Sequence, residues 1–597
     1  MAAVGTPSGG TPTLRSGWLR SWREAPAAVW WAAATVSIAF GCAQAAGWRI
    51  VQDQTLGLGS WGGRLLFLGE IVLASAVFLA VLLPGFSWVQ KAPGWASPRA
   101  SRMWDLSFPR RFAAVFAVLV VCWLGYWLVL WPGTVTPDSF SQLRQALGVT
   151  PYSDHHPVEN TLAIEAILRP ALALTGTIES AISVVTLAQL LVLAGIYAAS
   201  IASMRAFDPP RWLMTGTLLF FALNPLFGWF SVTLWKDVWL TAFVLALATA
   251  VSLVIHRSRL GTRVGWQVWL AFALAALGVM ASKKTGIYLV IPLLIVCVWA
   301  MGRSGIRRGW NRWWPDRIRW LGIGAGVVVL YVVGHAALIS LVAAPASDKR
   351  EMFSLPSQQI ARVVRDNPES LTDAQRAAIA RFYPDADIGK AYTFDRADAV
   401  KNRFDSAAFD ADARGYLSLW AELGLAHPLS YVDTLLASTT GYWYPHAPYR
   451  IPPSGYRLVS HDDWVMMLNT PAHRSGLTVD EIDPAATSSR DDPEAHRALL
   501  AKEINLRLPQ IPGVGLAVTI GAWTWAAVIL TAASVLRRRA EALPAAVLCV
   551  LVWGTAMISP VYAEARYASP VLALLPLFLV VAGARVTHRS EPTPAEE

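Results

Sequence analysis

Charged residues and cysteines are scarce in this sequence. Only 15% of the 597 residues are charged, eight are lysine and four are cysteine. Soluble domains average about 25% charged residues, so the shortage excludes an ordinary soluble globular protein. All the cysteines lie within long apolar stretches, which excludes a disulfide framework outside the cell. They are Cys42, Cys122, Cys297 and Cys549.

Apolar runs are what the sequence has instead. Twelve of them are long enough to be candidates for crossing about 30 Å of hydrocarbon. They lie at 27–47, 64–83, 112–131, 180–202, 212–234, 238–255, 267–282, 286–301, 319–343, 513–535, 541–559 and 568–586. We therefore expect an all-α integral membrane protein with about 12 transmembrane helices.

Basic residues are concentrated in every second loop between these runs. Examples are Arg110 and Arg111 before the third run, Arg257 and Arg259 after the sixth, and Arg538 after the tenth. The positive-inside rule makes these loops and both termini cytoplasmic. The net charge of +10 is then a consequence of topology, and we expect no nucleic-acid partner. The Ala- and Arg-rich composition is typical of bacteria, which predicts a multi-pass protein of a bacterial plasma membrane.

The same topology divides the chain into segments. We expect cytoplasmic tails at 1–26 and 588–597, two N-terminal transmembrane helices in 27–111, a main transmembrane module at 112–343 with a first outer loop at 132–179, an outer domain at 344–510, and C-terminal transmembrane helices in 511–587. The outer domain holds 18 Lys plus Arg against 23 Asp plus Glu, and its patterning predicts mainly helices. In the first outer loop, Thr136 as N-cap, Ser139 and Gln142 as a capping box and Gly148 as a stop predict a helix.

Polar residues of unusual types gather on the predicted outer face. They are Asp138, Asp154, His155, His156 and Glu159 in the first loop, Lys236 and Asp237, Lys283 and Lys284, and Glu564 and Arg566 in three short turns. Positive charge there opposes the positive-inside bias, so we expect a phosphate or pyrophosphate ligand. The neighbouring acids could serve as a general base or hold Mg²⁺ or Mn²⁺. The metal candidates are Asp138, Asp154, His156 and Asp237.

Each of these residues also has a structural interpretation. Asp138 could favour a helix N-terminus through the macrodipole, and Lys236 with Asp237 could form an interfacial ion pair. Glu564 and Arg566 could pair with each other. Two further ionisable residues, Glu70 and His335, lie within apolar runs, and we interpret them as helix-packing residues.

Seven motifs within residues 112–570 resemble a family of bacterial multi-span proteins of unknown function in the GT-C superfamily of membrane glycosyltransferases. The motifs are WPGTVTPDSFSQL, YSDHHPVENTL, TLWKDV, KKTGIY, SLPSQQIARVV, HPLSYVDTLLASTTGYWYP and EARYASP. The resemblance implies a GT-C-like module at 112–343 whose first two outer loops each carry an acidic catalytic residue. Asp138 and Asp237 match these positions. It also implies a sugar donor linked to polyprenyl phosphate and an acceptor in the cell envelope, namely a lipid, glycan or protein.

These expectations give the polar residues roles. Asp138 would remove the proton of the acceptor hydroxyl, giving inversion at the sugar. Lys236, Lys283, Lys284 and Arg566 would bind the donor phosphate. Residues that touch the substrate or support the site would be Ser139, Gln142, Asp154, His155, His156, Glu159, Trp443, Tyr444, Glu564 and Tyr567. Trp443 and Tyr444 could equally belong to an interfacial aromatic belt.

Two other functions remain open. A transporter or flippase for a lipid-linked or anionic solute would interrupt a helix near the membrane midplane, and FALNPLFGW, with Asn224 and Pro225, is such a stretch. A membrane acyl- or phospho-group transferase would instead use His155 or His156 as its base.

Overall fold

The structure is a computed structural model that describes residues 22, 24–91, 102–305, 314–345, 347–384, 387–447, 457–458, 519–558 and 561–583. Within these ranges it is predominantly α-helical. The predicted tail at 588–597, most of the predicted tail at 1–26 and the end of the predicted outer domain, 459–510, lie outside the described residues.

Among the described residues, twelve helices precede residues 344–510, which we call the polar segment, and three follow it. The first group is α1 Ala27–Asp53, α2 Trp61–Lys91, α3 Phe108–Val129, α4 Pro137–Leu147, α5 Val158–Thr175, α6 Ile178–Met204, α7 Arg211–Leu223, α8 Pro225–Ser231, α9 Lys236–Leu260, α10 Trp266–Ser282, α11 Ile287–Gly305 and α12 Trp314–Val342. The polar segment holds α13 Ser354–Asp366, α14 Asp373–Phe382, α15 Ile388–Ala391, α16 Asp398–Lys401, α17 Ser406–Ala411, α18 Ala413–Ala426 and α19 Pro428–Thr439. The last group is α20 Ile520–Leu536, α21 Leu543–Ile558 and α22 Ala565–Gly583.

Eight of the described helical segments are long and apolar enough to cross a membrane. The chain is therefore a multi-pass membrane protein. They involve α1, α2, α3, α6, α9, α12, α21 and α22. The pair α7 and α8 would add a ninth span if it crosses as one unit, although it bends by 53° at Asn224. All twelve predicted apolar runs contain helix, but α10, α11 and α20 supply shorter apolar stretches. The predicted count of about 12 spans is therefore not confirmed.

Helix α9 lies at the centre of the bundle. It packs against α6, α10, α21 and α22, and residues on every side of it are buried. A helix that is apolar all round is stable only when neighbours surround it. By contrast, α2 and α12 expose most of their apolar side chains. Central packing fixes the N-terminal end of α9, where Lys236 and Asp237 stand.

A short β ladder ties the first loop to that end of α9. Strand β1 (Thr134–Val135) pairs antiparallel with β2 (Arg457–Leu458). Thr134 also donates its backbone N–H to Val232 (3.0 Å) and accepts from the N–H of Leu234 (2.9 Å). These bonds hold the residues just before α4 beside those just before α9, although about 100 residues separate them in the chain.

Helix α4 begins and ends where the sequence predicts, with one correction. Thr136 is the N-cap and Gly148, at φ 83°, ends the helix. The capping box, however, joins Thr136 to Ser139, not Ser139 to Gln142, because the reciprocal bonds link the N-cap with the third helical residue. Gln142 instead donates to the hydroxyl of Thr161 on α5 (3.2 Å).

The polar segment has a small core of its own, and its described part is mainly helical, as its patterning predicts. Buried aromatic residues, including Phe382, Tyr383 and Tyr416, form this core. The segment is also attached to the loop after α1. Asp433 of α19 accepts from the Thr55 hydroxyl (2.7 Å) and the Leu56 N–H (3.0 Å).

We expect Asp433→Ala to weaken this attachment. The change leaves the Leu56 N–H without its acceptor and removes one of the two carboxylates beside the Arg362 guanidinium, and a buried unpaired donor costs about 1–3 kcal/mol. Thermal unfolding of the purified protein in detergent measures the loss. Thr55→Val, which removes one of the bonds, is the control, and equal losses in the two variants would contradict the prediction.

Candidate functional site

The two consecutive residues that begin α9 form hydrogen bonds with different parts of the chain. The Lys236 ammonium donates to Asp138 Oδ2 (2.9 Å) and to His156 Nδ1 (2.8 Å). The neighbouring Asp237 carboxylate accepts from Lys283 (3.0 Å), just after α10. Adjacent residues of an α-helix point about 100° apart, so one dipeptide connects α9 to both the first loop and the turn after α10.

Arg566 completes the cluster from the beginning of α22. Its Nη1 donates to the same Oδ2 atom of Asp138 (2.9 Å), and its guanidinium lies 4.4 Å from the ring centre of Trp235 and 4.8 Å from that of Tyr567. The Lys283 ammonium lies 3.8 Å from the Tyr567 ring centre. A cation near a helix N-terminus is repelled by the helix dipole. An anionic partner such as Asp138 offsets this repulsion for Arg566.

We call this group the polar cluster. Its members are Asp138, His156, Lys236, Asp237, Lys283, Glu564, Arg566 and Tyr567. They come from the first loop, α9, the turn after α10 and the start of α22, so the structure brings together residues from four distant parts of the chain.

Asp138 and Asp237 differ in solvent exposure. Asp237 is fully buried, whereas the Asp138 side chain is 26% exposed. Both cations contact Asp138 at Oδ2, and Oδ1 accepts no hydrogen bond from any residue that the structure describes. Burial alone would raise the pKa of Asp138, but Lys236 and Arg566 outweigh it and hold that pKa well below its usual range. Asp138 is therefore an ionised carboxylate with one oxygen available to a ligand.

His156 is a neutral hydrogen-bonding residue. Burial and the adjacent Lys236 ammonium lower its pKa to about 3. Because Nδ1 accepts from Lys236, we assign the ring proton to Nε2. His156 can then donate to a ligand from Nε2, but it has no free basic nitrogen.

A second group lies beside the polar cluster and uses the next lysine. Lys284 donates to Asp154 Oδ2 (2.7 Å), to the Asp154 carbonyl and to the Ser347 hydroxyl (3.0 Å). His335 of α12 contacts Glu159 through Nδ1 (2.7 Å) and lies 3.8 Å from Asp154 Oδ1. We call these five residues the lateral cluster. It joins the first loop to α12 and to the start of the polar segment.

Sequence reasoning missed several of these partners. His335 was interpreted as a packing residue, and its position within an apolar run was the signal that it needs a charged partner. Glu70 likewise receives two hydrogen bonds from Arg49 (2.8 and 3.1 Å). Tyr442, whose hydroxyl bonds to the segment that carries Glu564, had no distinguishing sequence signal.

Other predicted site residues lie elsewhere or act structurally. His155 is exposed, and its ring packs edge-on against His156. Trp443 and Tyr444 are buried, with 7% and 4% exposure, in an apolar cluster with α1, which leaves no open ring face for a sugar. Ser139 completes the capping box of α4 with Thr136 and donates to the Leu234 carbonyl.

The metal candidates do not form a metal site among the described residues, where no group of three or more His, Cys, Asp or Glu side chains could hold an ion. Asp138 and His156 share the Lys236 ammonium, Asp237 faces Lys283 and Asp154 faces Lys284. Each candidate thus has a cation where a metal would bind.

The low pKa of His156 predicts acid sensitivity. Its pKa is about 3 in the folded protein and 6.5 ordinarily, so protonation favours the unfolded chain and stability falls as pH drops below 6.5. We expect a loss of about 2 kcal/mol at pH 5, which His156→Asn should largely remove. Thermal unfolding of both proteins at pH 7 and pH 5 measures this. A wild-type loss that the variant fully retains would contradict it.

Comparison with known proteins gives a family but no function. The family model described as a family of unknown function (DUF6020) matches residues 147–596, which is roughly three quarters of the chain. The matched region includes Lys236, Asp237, Lys283 and Arg566 and begins nine residues after Asp138. No curated protein and no solved structure matches the chain. The chain belongs to the DUF6020 family.

Proposed function

We propose that this protein is a GT-C-type glycosyltransferase that moves a sugar from a polyprenyl-phosphate-linked donor to a cell-envelope acceptor. The observation that carries the proposal is the environment of Asp138. One oxygen is held by Lys236 and Arg566, and the other accepts no hydrogen bond from the described part of the chain. The arrangement combines a partly exposed base with two cations suited to a phosphate. The alternating basic loops support an outward orientation of the polar cluster.

The reaction is a single displacement. The acceptor oxygen forms a bond to the anomeric carbon while the bond from that carbon to the phosphate oxygen breaks. The electron pair of that bond stays on the phosphate, and the acceptor proton passes to Asp138 Oδ1. Lys236, Arg566 and Lys283 stabilise the charge that develops on the leaving phosphate.

The low pKa of Asp138 in the ligand-free site fits this chemistry. Lys236 and Arg566 depress that pKa by contact with Oδ2. A bound phosphate would share the same two cations and weaken their hold on the carboxylate. Asp138 therefore becomes a stronger base when the donor is in place.

The histidine-based transferase is disfavoured by the hydrogen bonding of His156. Its Nδ1 already accepts from Lys236 (2.8 Å), and Nε2 carries the ring proton. Neither ring nitrogen is therefore free to take up a proton from an acceptor. His155 is exposed and makes no ion pair among the described residues.

The bend between α7 and α8 favours a second candidate, a transporter or flippase. The two helices meet at 53°, with Asn224 between them. Interrupted helices of this kind form binding sites in transporters. Here, however, the Asn224 side chain accepts from the Leu226 N–H (3.0 Å) and so caps α8 itself.

The test uses purified protein in lipid nanodiscs, offered a panel of radiolabelled polyprenyl-phosphate sugars with a membrane fraction as acceptor. Release of the sugar from one donor by the wild type, but not by Lys236→Met, is the expected result. Proteoliposomes separate the candidates, because a flippase would carry the donor across the bilayer intact. No donor consumed from the whole panel would overturn the glycosyltransferase proposal.

A further inference from the structure

Of the three acids in the polar cluster, Glu564 has the weakest contact with a cation. It stands in the segment between α21 and α22, where its backbone N–H donates to the Tyr442 hydroxyl (3.3 Å). That hydroxyl donates in turn to the carbonyl of Val561 (2.5 Å). The backbone of this segment is thus held by Tyr442, which follows α19, and the position of Glu564 does not depend on its own side chain.

The carboxyl group of Glu564 lacks the close cation that the other two acids have. Asp138 and Asp237 each accept from an ammonium group, at 2.9 and 3.0 Å. Among the described residues, the cation beside Glu564 Oε2 is Arg566, whose Nε lies 3.5 Å away in an ion pair without a hydrogen bond. Both atoms are buried, and neither has a hydrogen-bond partner in that part of the chain. A buried donor and a buried carboxyl oxygen of the polar cluster thus lack hydrogen-bond partners among the described residues.

The net charge of the polar cluster depends on whether Glu564 is protonated. The cluster contains three acids and three basic residues, Lys236, Lys283 and Arg566, so with all six ionised its net charge is zero. Burial raises the pKa of Glu564; Arg566 opposes this, while Asp237 and Asp138 add to it. The phenols of Tyr442 and Tyr567 are the other titratable groups that face it. With Glu564 protonated, the cluster carries one positive charge, which matches one phosphodiester anion.

We propose that Glu564 binds the ligand as the neutral acid, donating its proton in a hydrogen bond to a phosphate oxygen beside Arg566, so that each phosphodiester enters the cluster together with one proton. The identity of the anion rests on the proposed function. The assignment makes Glu564 a binding residue that selects a singly charged phosphodiester over a neutral lipid.

The experiment measures how many protons the protein takes up when it binds the anion. A short-chain prenyl phosphodiester is the probe, because its single charge is constant between about pH 6 and 9. Binding to the full-length protein in nanodiscs is measured by titration calorimetry in two buffers of different ionisation enthalpy. We expect up to one proton taken up per probe bound, and an affinity that rises by up to about tenfold per unit fall in pH while Glu564 is ionised in the free protein. A neutral prenyl phosphotriester should bind with no proton uptake.

Glu564→Gln keeps the size and one hydrogen-bond donor, so it should bind the probe without proton uptake and with little pH dependence. Glu422→Gln, which changes an exposed acid of α18, should behave as the wild type. Proton uptake that persists in Glu564→Gln, or wild-type binding without uptake across the whole pH range, overturns this proposal alone. Failure of the wild type to bind the diester overturns both this proposal and the proposed function. If Glu564→Gln does not fold, the wild-type proton count decides.

Discussion

Replacing Asp138 by asparagine should lower the rate of sugar transfer by about 10²–10⁴-fold, the range typical for the loss of a general base. Asparagine has nearly the same size, and its oxygen can still accept from Lys236 and Arg566, so the fold and donor binding should persist. The amide cannot take up the acceptor proton. Single-turnover release of radiolabelled sugar, with the donor that the nanodisc panel identifies, measures the rate.

The control for this variant is Asp373→Asn, which changes a fully exposed carboxylate at the start of α14. Its rate should equal that of the wild type. Thermal unfolding of Asp138→Asn establishes that the variant is folded. If the folded variant retains a rate within about threefold of the wild type, a difference of under 1 kcal/mol in barrier height, Asp138 is not the base.

The polar cluster was predictable in outline because topology fixes which helix ends share a face. Asp138, Lys236, Lys283 and Arg566 all stand next to ends of apolar runs, and alternate runs end on the same side of a membrane. The topology does not determine which acid pairs with which cation. Lys236 and Lys283 could have exchanged partners without any change in the sequence pattern.

The partners within the lateral cluster were not predictable for the same reason. His335 lies seven residues before the end of α12, and nothing local indicates that Glu159 reaches it from another helix. The pairing depends on how α5 packs beside α12, which is tertiary information. Trp443 and Tyr444 illustrate the opposite difficulty. Aromatic residues in a Pro-rich stretch have the same pattern whether they stack on a sugar or, as here, fill an apolar cluster beside α1.

The predicted count of about 12 membrane spans is not confirmed, because apolar composition does not measure helix length. Helix α10 has 17 residues, which corresponds to about 25 Å at 1.5 Å per residue, less than the hydrocarbon thickness of about 30 Å. The break between α7 and α8 follows from Asn224 and Pro225, since an Asn cap followed by proline begins a new helix. The sequence carried that signal, but the run around it is continuous in hydropathy.

The ion pair between Asp237 and Lys283 should have the largest effect on stability. Asp237 is fully buried, and its carboxylate is bonded to Lys283 at 3.0 Å. Removing one partner of a buried pair leaves an uncompensated charge and typically costs about 3–5 kcal/mol. We therefore expect Asp237→Ala to lower the free energy of unfolding by that amount, measured as a fall in the thermal midpoint in detergent and faster loss of folded protein on heating.

Two further variants separate the pair from the loss of packing. The double variant Asp237→Ala, Lys283→Met removes both charges, so it should recover most of the stability that Asp237→Ala loses. Asp410→Ala breaks the pair with Lys349, in which both side chains are 53% exposed, and should cost less than about 1 kcal/mol. A double variant no more stable than Asp237→Ala would mean that Asp237 acts through packing around α9, and the cation of Lys283 would then be tolerated without its partner.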